Sequence, residues 1–247
     1  MYKIKALDHQ VSNTNNLIPV PPFSLLITAS KGCGKSTMLL NLIKIYRGVF
    51  DRIILFSPTV FLDHKWGDFI NNTPVLKTKK IEQNYFGTKE RQEKHINEIY
   101  TEYSNKIITD LRKNQEEKNA GKVLVIFEDS LGLEGVYKQN SAVLKYLPNS
   151  RHLKTSFIFV VQSYKSVPRI LRNNNSGLIL FQTPNDRELN MIYEENSAFL
   201  KREEWHSIYD YIMKEPYNFM FINYQNKRDY QVLKNFDTIL KLKNVEE

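Results

Sequence analysis

Lys35 and Ser36, set directly behind Gly32-Cys33-Gly34, are the residues of this sequence best placed for phosphate chemistry. Glycines in a short loop let successive backbone N–H groups turn toward the oxygens of one anion. A lysine beside them reaches the β- and γ-phosphates of a nucleotide, and the adjoining hydroxyl ligates Mg²⁺. The loop expected to wrap the phosphates is Ala29-Ser30-Lys31-Gly32-Cys33-Gly34-Lys35-Ser36, with Thr37 one step further in and able to touch the α-phosphate. It follows the pattern G-x-x-x-x-G-K-[ST] except at its first position, where Ala29 replaces glycine. Alanine is small enough for the loop to form, provided its backbone avoids positive φ. Cys33 shares the loop with those N–H dipoles and with Lys35, so it is expected to react with thiol reagents unless nucleotide covers it.

A second group of residues supplies the acids such a loop requires. The apolar run Val123-Leu124-Val125-Ile126-Phe127 ends in Glu128-Asp129. Opposite a phosphate-binding lysine, one carboxylate holds the Mg²⁺ shell and another polarises the attacking water. By chain order Glu128 goes to the Mg²⁺ side and Asp129 to the water. The commoner order is Asp then Glu, so the exchanged assignment stays open. Gln162 closes a further apolar run, Thr155 to Val161. Ligands of open α/β sheets sit at the carboxyl ends of strands, so Gln162 is placed to sense a γ-phosphate or orient water. The histidines at 9, 64, 95, 152 and 206 have no partner at metal-ligand spacing, which gives no reason to expect zinc.

These residues need a strand–loop–helix scaffold. Leu25 to Thr28 reads as a strand running into the loop, and Lys35 opens a helix with a repeating apolar face, Met38, Leu39, Leu42 and Ile43. Further strands are expected at 52–56, 122–127, 155–161, 176–181 and 219–223, with a possible edge at 230–233. Helices are expected at 89–118, around 143–147, after Pro168, and at about 185–195 and 201–214. Residues 63–88 read as polar and irregular. Strands alternating with helices imply an α/β fold, a mostly parallel sheet with helices on both faces. The expected organisation is a lead-in over 1–23, one domain over 24–235 and a tail over 236–247.

Composition narrows the partners. The chain has 247 residues, 41% of them hydrophobic, enough for one sizeable core. Lys+Arg 35 against Asp+Glu 27 leaves +8, which favours a polyanion such as nucleic acid; a merely solvated basic surface is the alternative. A single cysteine precludes an intrachain disulfide and predicts a reducing, intracellular compartment. No apolar run is long enough for a membrane span, and residues 1–17 lack the apolar core of a signal peptide.

Taken together, the loop at 29–36, the Ser57-Pro58-Thr59 turn and Phe127-Glu128-Asp129 resemble the poxvirus-type DNA-packaging ATPases of the FtsK–HerA superfamily. The most specific stretch runs from Ser150-Arg151-His152 through Val161-Gln162-Ser163-Tyr164, Val167-Pro168 and Leu171-Arg172-Asn173 to Leu180-Phe181. The resemblance covers residues 24–224. It implies a RecA-like P-loop (ASCE) NTPase fold, ATP and Mg²⁺ as cofactors, and a homo-oligomeric ring, pentamer or hexamer. Such rings drive double-stranded DNA into a capsid and engage capsid or portal vertex proteins, in the cytoplasm of an infected cell. It also implies an arginine donated by the neighbouring subunit, for which Arg151 is the first candidate and Arg172 the second. DNA held by its phosphates calls for basic residues, and Lys77, Lys79, Lys80, Lys165 and Arg169 are candidates. Other readings of the same loop are a helicase-like ring ATPase, a small-molecule phosphotransferase and a non-catalytic virion protein.

Overall fold

The apolar runs of the sequence become the centre of one mixed sheet. The structure, a computed structural model, describes residues 3–7, 17–57, 66, 80–83, 96–117, 120–129, 137–138, 140–196 and 200–243. The strands are β1 Lys3–Leu7, β2 Ser24–Thr28, β3 Arg52–Phe56, β4 Lys80–Gln83, β5 Val123–Glu128, β6 Thr155–Val161, β7 Gly177–Leu180, β8 Met220–Asn223, β9 Val232–Lys234 and β10 Thr238–Lys243. The helices are α1 Lys35–Ile45, α2 Ile96–Gln115, α3 Ala142–Tyr146, α4 Arg169–Asn173, α5 Asp186–Asn196 and α6 Arg202–Met213.

Among the described residues the sheet order is β1-β10-β9-β8-β7-β2-β6-β5-β3-β4. From β4 across to β7 every neighbouring pair is parallel. From β7 to β1 every pair is antiparallel. Strand β6 therefore lies between β2, which feeds the glycine loop, and β5, which ends in the acids. The register Thr28↔Val161 and Glu128↔Val160 brings all three carboxyl ends level. That coincidence builds the site.

Alternation along each strand sends side chains to opposite faces. Val123, Val125 and Phe127 enter one core with Ile108 and Leu111 of α2, Leu189 and Ile192 of α5, and Trp205 and Ile208 of α6. Leu124 and Ile126 enter the other, with Met38, Leu39, Leu42 and Ile43 of α1. Helices thus cover both faces, as the alternating pattern predicts. Phe56, Phe127 and Phe159 are register partners on β3, β5 and β6, and their rings stack at 4.6 and 5.5 Å with planes 4° apart. This ladder underlies the acid-bearing strand end.

The sequence reading and the structure differ in places. Within the stretch read as irregular, Lys80–Gln83 pairs parallel with β3, and Trp66 is only 2% exposed. The long helix begins at Ile96, and the expected 89–95 portion lies outside the described residues. The edge expected at 230–233 is β9, which lies inside the sheet, flanked by β8 and β10. The segments expected as lead-in and tail each carry a strand, β1 and β10, paired from Lys3↔Lys243 to Leu7↔Ile239. No described helix is long and apolar enough to cross a membrane.

Candidate active site

The loop between β2 and α1 takes its shape from two glycines. Gly32 and Gly34 have φ of 85° and 89°, a left-handed backbone that favours glycine. Ala29 is not among the positive-φ residues; it is buried, and its N–H donates to the Val161 carbonyl at 3.1 Å. The alanine departure is therefore compatible with the loop, because only the later positions need left-handed backbone. Gly34 is also the N-cap of α1, and no side chain caps that end or places an acid in its first turn. A helix start left this way presents N–H groups and a partial positive charge to an anion.

Around this loop the expected side chains converge. Lys35 Nζ donates to Asp129 Oδ1 at 2.6 Å, and Gln162 Nε2 donates to the same oxygen at 3.3 Å. Ser36 Oγ donates to Glu128 Oε1 at 3.2 Å. Glu128 thus stands on the Ser36 side, and Asp129 on the side of Lys35 and Gln162. Asp129 adopts φ 48°, which turns the chain sharply just past β5.

Glu128 is 1% exposed, and Oε2 is buried with no donor in hydrogen-bond geometry. Burial, and then the neighbouring Asp129 charge, push its carboxyl up to about 7, against the opposing pull of Ser57, Ser36 and Trp66. A buried carboxylate with an unanswered oxygen, facing a serine hydroxyl, is an oxygen donor pair suited to Mg²⁺. The residues present fit that ion. Trp66 lies outside the sequence-derived set, its one signal being a tryptophan in a polar stretch, whereas Ser57 belongs to the Ser57-Pro58-Thr59 turn without having been given a role at the site.

The loop after β6 is pinned from behind. Glu188 of α5 accepts from Ser163 Oγ at 3.1 Å and from the backbone N–H groups of Tyr164 and Lys165. Tyr164 Oη donates to Glu195 at 2.9 Å and accepts from Asn196. Gln162 accordingly stands on a braced loop.

The two candidate arginines occupy different settings. Arg172 lies with Nε 2.9 Å from Glu195 Oε2, donates from Nη2 to Oε1 and from Nη1 to the Val167 carbonyl, and covers the Tyr164 ring. Its side chain is 9% exposed, and both terminal nitrogens of the guanidinium are hydrogen-bonded within this chain. Arg172, the second candidate for an arginine donated to a neighbour, is thus held by Glu195 and Val167 of its own chain. Arg151 is exposed and lines a 380 Å³ cleft with Ser150, His152 and Asn175 at the amino ends of the strands. The seven residues of β6 separate it from Gln162, roughly 23 Å at 3.3 Å per residue. Within one chain Arg151 cannot touch the loop.

Of the basic candidates, Lys165 and Arg169 are exposed in the segment after β6 and Lys80 opens β4, while Lys77 and Lys79 lie outside the described residues. Pro58 and Thr59 of the expected turn also lie outside them.

A parallel sheet with β6 between the loop-bearing and acid-bearing strands, and a lysine, a serine and two acids at their shared end, defines a P-loop NTPase fold. The chain belongs to the family of the Poxvirus A32 protein, whose model matches residues 11–217. The DNA packaging protein OPG160 of variola virus is 28% identical over 162 residues, covering 64% of this chain and 52% of the relative. Its vaccinia virus (strain Copenhagen) counterpart shows the same identity and coverage. The chain thus spans about half the length of these curated relatives. Among solved structures, the fold is similar to B204, the DNA-packaging ATPase from Sulfolobus turreted icosahedral virus, with a TM-score of 0.60 at 14% identity, covering 92% of this chain and all of that one. The B204 genome packaging NTPase of Sulfolobus turreted icosahedral virus 2, in complex with sulfate, gives 0.57 at 16% identity, with 91% and 97% covered.

Proposed function

We propose that this chain is an ATP-hydrolysing motor that moves double-stranded DNA into a viral capsid, acting as a ring with its active sites between subunits. The observation that carries the reading is the convergence of Lys35, Ser36, Glu128, Asp129 and Gln162 at one sheet end. Membership of the A32 family and the packaging role named for its relatives support the choice of DNA as cargo.

The phosphates of ATP lie in the loop at 29–37, with backbone N–H groups and Lys35 on their oxygens. Lys35 exchanges Asp129 for the γ-phosphate, which frees Asp129 to accept a proton from water. Gln162, already bonded to Asp129, orients that water. Ser36 and Glu128 would hold Mg²⁺, which would supply positive charge to the phosphate oxygens. Arg151 belongs to the neighbouring subunit's site, where a cation offsets the charge of the transferring phosphoryl group. Exposed basic residues hold DNA by its phosphates, without regard to sequence, and salt weakens that hold.

The test is the steady-state ATPase rate with and without duplex DNA, at low and high protein concentration, for the wild type, Lys35→Ala and Arg151→Ala. Stimulation by DNA that grows with concentration is expected, with both variants inactive alone and activity regained on mixing them. Hydrolysis indifferent to DNA and to concentration would overturn the motor.

A further inference from the structure

Beside the loop the surface opens into a cavity of about 710 Å³, within the range of small-molecule sites. One wall is the face of α1 just past the loop: Thr37, Met38 and Asn41. The opposite wall comes from the antiparallel half of the sheet, with Tyr217 ahead of β8 and Phe236 and Asp237 between β9 and β10. None of these wall residues beyond Thr37 handles phosphate in the mechanism above. A nucleotide whose α-phosphate lies at Thr37 must send its ribose and base in this direction.

The wall residues carry the marks of a ligand site. Tyr217 is 71% exposed and has φ 66°, so a bulky ring is held toward solvent on a backbone that bulky residues avoid. Strain of this kind persists where function requires it. A Cβ placed on Gly34 would meet the Tyr217 ring at 3.2 Å, so the ring stands at the junction of loop and cavity. Phe236 is set by edge packing on Phe219, at 4.8 Å and 62°, and on Phe221, at 5.6 Å and 74°. The turn that presents Phe236 is fixed by Asn235, at φ 56°, whose side chain accepts from the Phe219 N–H and donates to Asn218.

We propose that this cavity is the nucleoside subsite of the P-loop, with Tyr217 stacking on a purine base and Phe236 and Met38 forming its apolar bed. Asn41 and Asp237, both exposed at the rim, meet the polar edge and the ribose. Aromatic stacking on a base is worth a factor of about 5 to 150 in affinity, and a purine offers the larger face. The inference rests on the nucleotide reading of the loop.

Calorimetric titration with Mg²⁺ present separates the two. The probes are ATP, CTP and inorganic tripolyphosphate, which carries phosphates and no base. The proteins are the wild type, Tyr217→Ala, Tyr217→Phe and Lys35→Ala. Tyr217→Ala should weaken ATP at least fivefold and leave tripolyphosphate unchanged, while Tyr217→Phe stays near the wild type. ATP should bind more tightly than CTP to the wild type, and that preference should vanish in Tyr217→Ala. Unchanged ATP affinity in Tyr217→Ala overturns the subsite, as does an equal loss of ATP and tripolyphosphate. If Lys35→Ala binds tripolyphosphate as the wild type does, the P-loop reading itself falls and takes the subsite with it.

Discussion

Lys35 Nζ lies 2.6 Å from Asp129 Oδ1, so the lysine placed to grip a γ-phosphate and the acid placed to activate water are paired with each other. The two functions are coupled by this contact: nucleotide must displace the acid from the lysine before the acid is available as a base. Asp129→Asn keeps the shape but removes the charge on both counts. It should lower kcat by about 10²–10⁴-fold while ATP binds at least as tightly, because Lys35 no longer has an anionic competitor. Single-turnover hydrolysis and equilibrium binding, measured on the same preparation, check both halves. Loss of binding with kcat preserved would reverse the assignment of the two acids.

Burial, and then the Asp129 charge, push the Glu128 carboxyl up to about 7. Between the ordinary 4.5 and that value, the folded chain keeps a proton that the unfolded chain has released. Stability of the nucleotide-free protein therefore falls as pH rises through this window, and above it the charged carboxylate costs about 3 kcal/mol. A Mg²⁺ ion held by Glu128 would need the charged form and would have to expel the proton. Binding of Mg²⁺–ATP should tighten by up to about tenfold per pH unit below 7 and level off above it. Glu128→Gln should flatten that profile and raise Tm at pH 8. Protonation of ATP itself is common to both proteins and cancels in the comparison. Parallel profiles for wild type and Glu128→Gln would rule the coupling out.

Arg172 and Arg151 should fail in different ways. Arg172→Ala removes a side chain only 9% exposed that packs on the Tyr164 ring and leaves the more exposed Glu195 unpaired, so it should lose about 1–3 kcal/mol of stability. Mixing it with Lys35→Ala subunits should restore nothing beyond what its folded fraction allows. Arg151→Ala removes an exposed side chain and should melt within about 2 °C of the wild type while losing ATPase activity. Chemical denaturation of each variant, paired with the mixing assay, tells the two apart.

The Phe56–Phe127–Phe159 ladder ties the acid-bearing strand end to its neighbours. Phe127→Ala opens a cavity in a fully buried stack and should cost about 3–5 kcal/mol, with Phe127→Leu recovering part of the loss. The midpoint of urea unfolding measures this directly. Both variants should also weaken Mg²⁺–ATP binding, because Glu128 follows Phe127 in the same strand.

Much of this arrangement is legible in the sequence. Parallel strands buried on both faces are continuous apolar runs, so β2, β3, β5, β6 and β7 announce themselves, and the small-residue loop and terminal acids mark which ends matter. What escapes is the two margins of the sheet. Strand β4, on the parallel side, has no such run, and β1 and β10, on the antiparallel side, alternate lysine with apolar residues in short stretches that also suit exposed loops. Glu188 and Trp66 escape for a different reason. Each is an ordinary residue by type, and only the packing of α5 and the burial of Trp66 bring them to the loop behind Gln162 and to Glu128. Arg172 is a finger candidate by its motif, and nothing near it in the sequence announces its ion pair with Glu195, a residue on a later helix.

Cys33 remains a handle on the loop. It is half-buried between two left-handed glycines, with its Sγ 4.0 Å from the Gln182 carbonyl, too weak a contact to hold the thiol away from reagents. Alkylation would place a bulky group among the N–H groups that a phosphate needs. Maleimide treatment should therefore abolish ATP binding, and Mg²⁺–ATP should slow the modification at least tenfold, in proportion to site occupancy. Cys33→Ala should bind ATP near the wild-type level and be indifferent to the reagent. Peptide mapping of the modified protein, with binding measured before and after, settles the matter: full labelling of Cys33 with binding intact would show that the thiol points away from the phosphates.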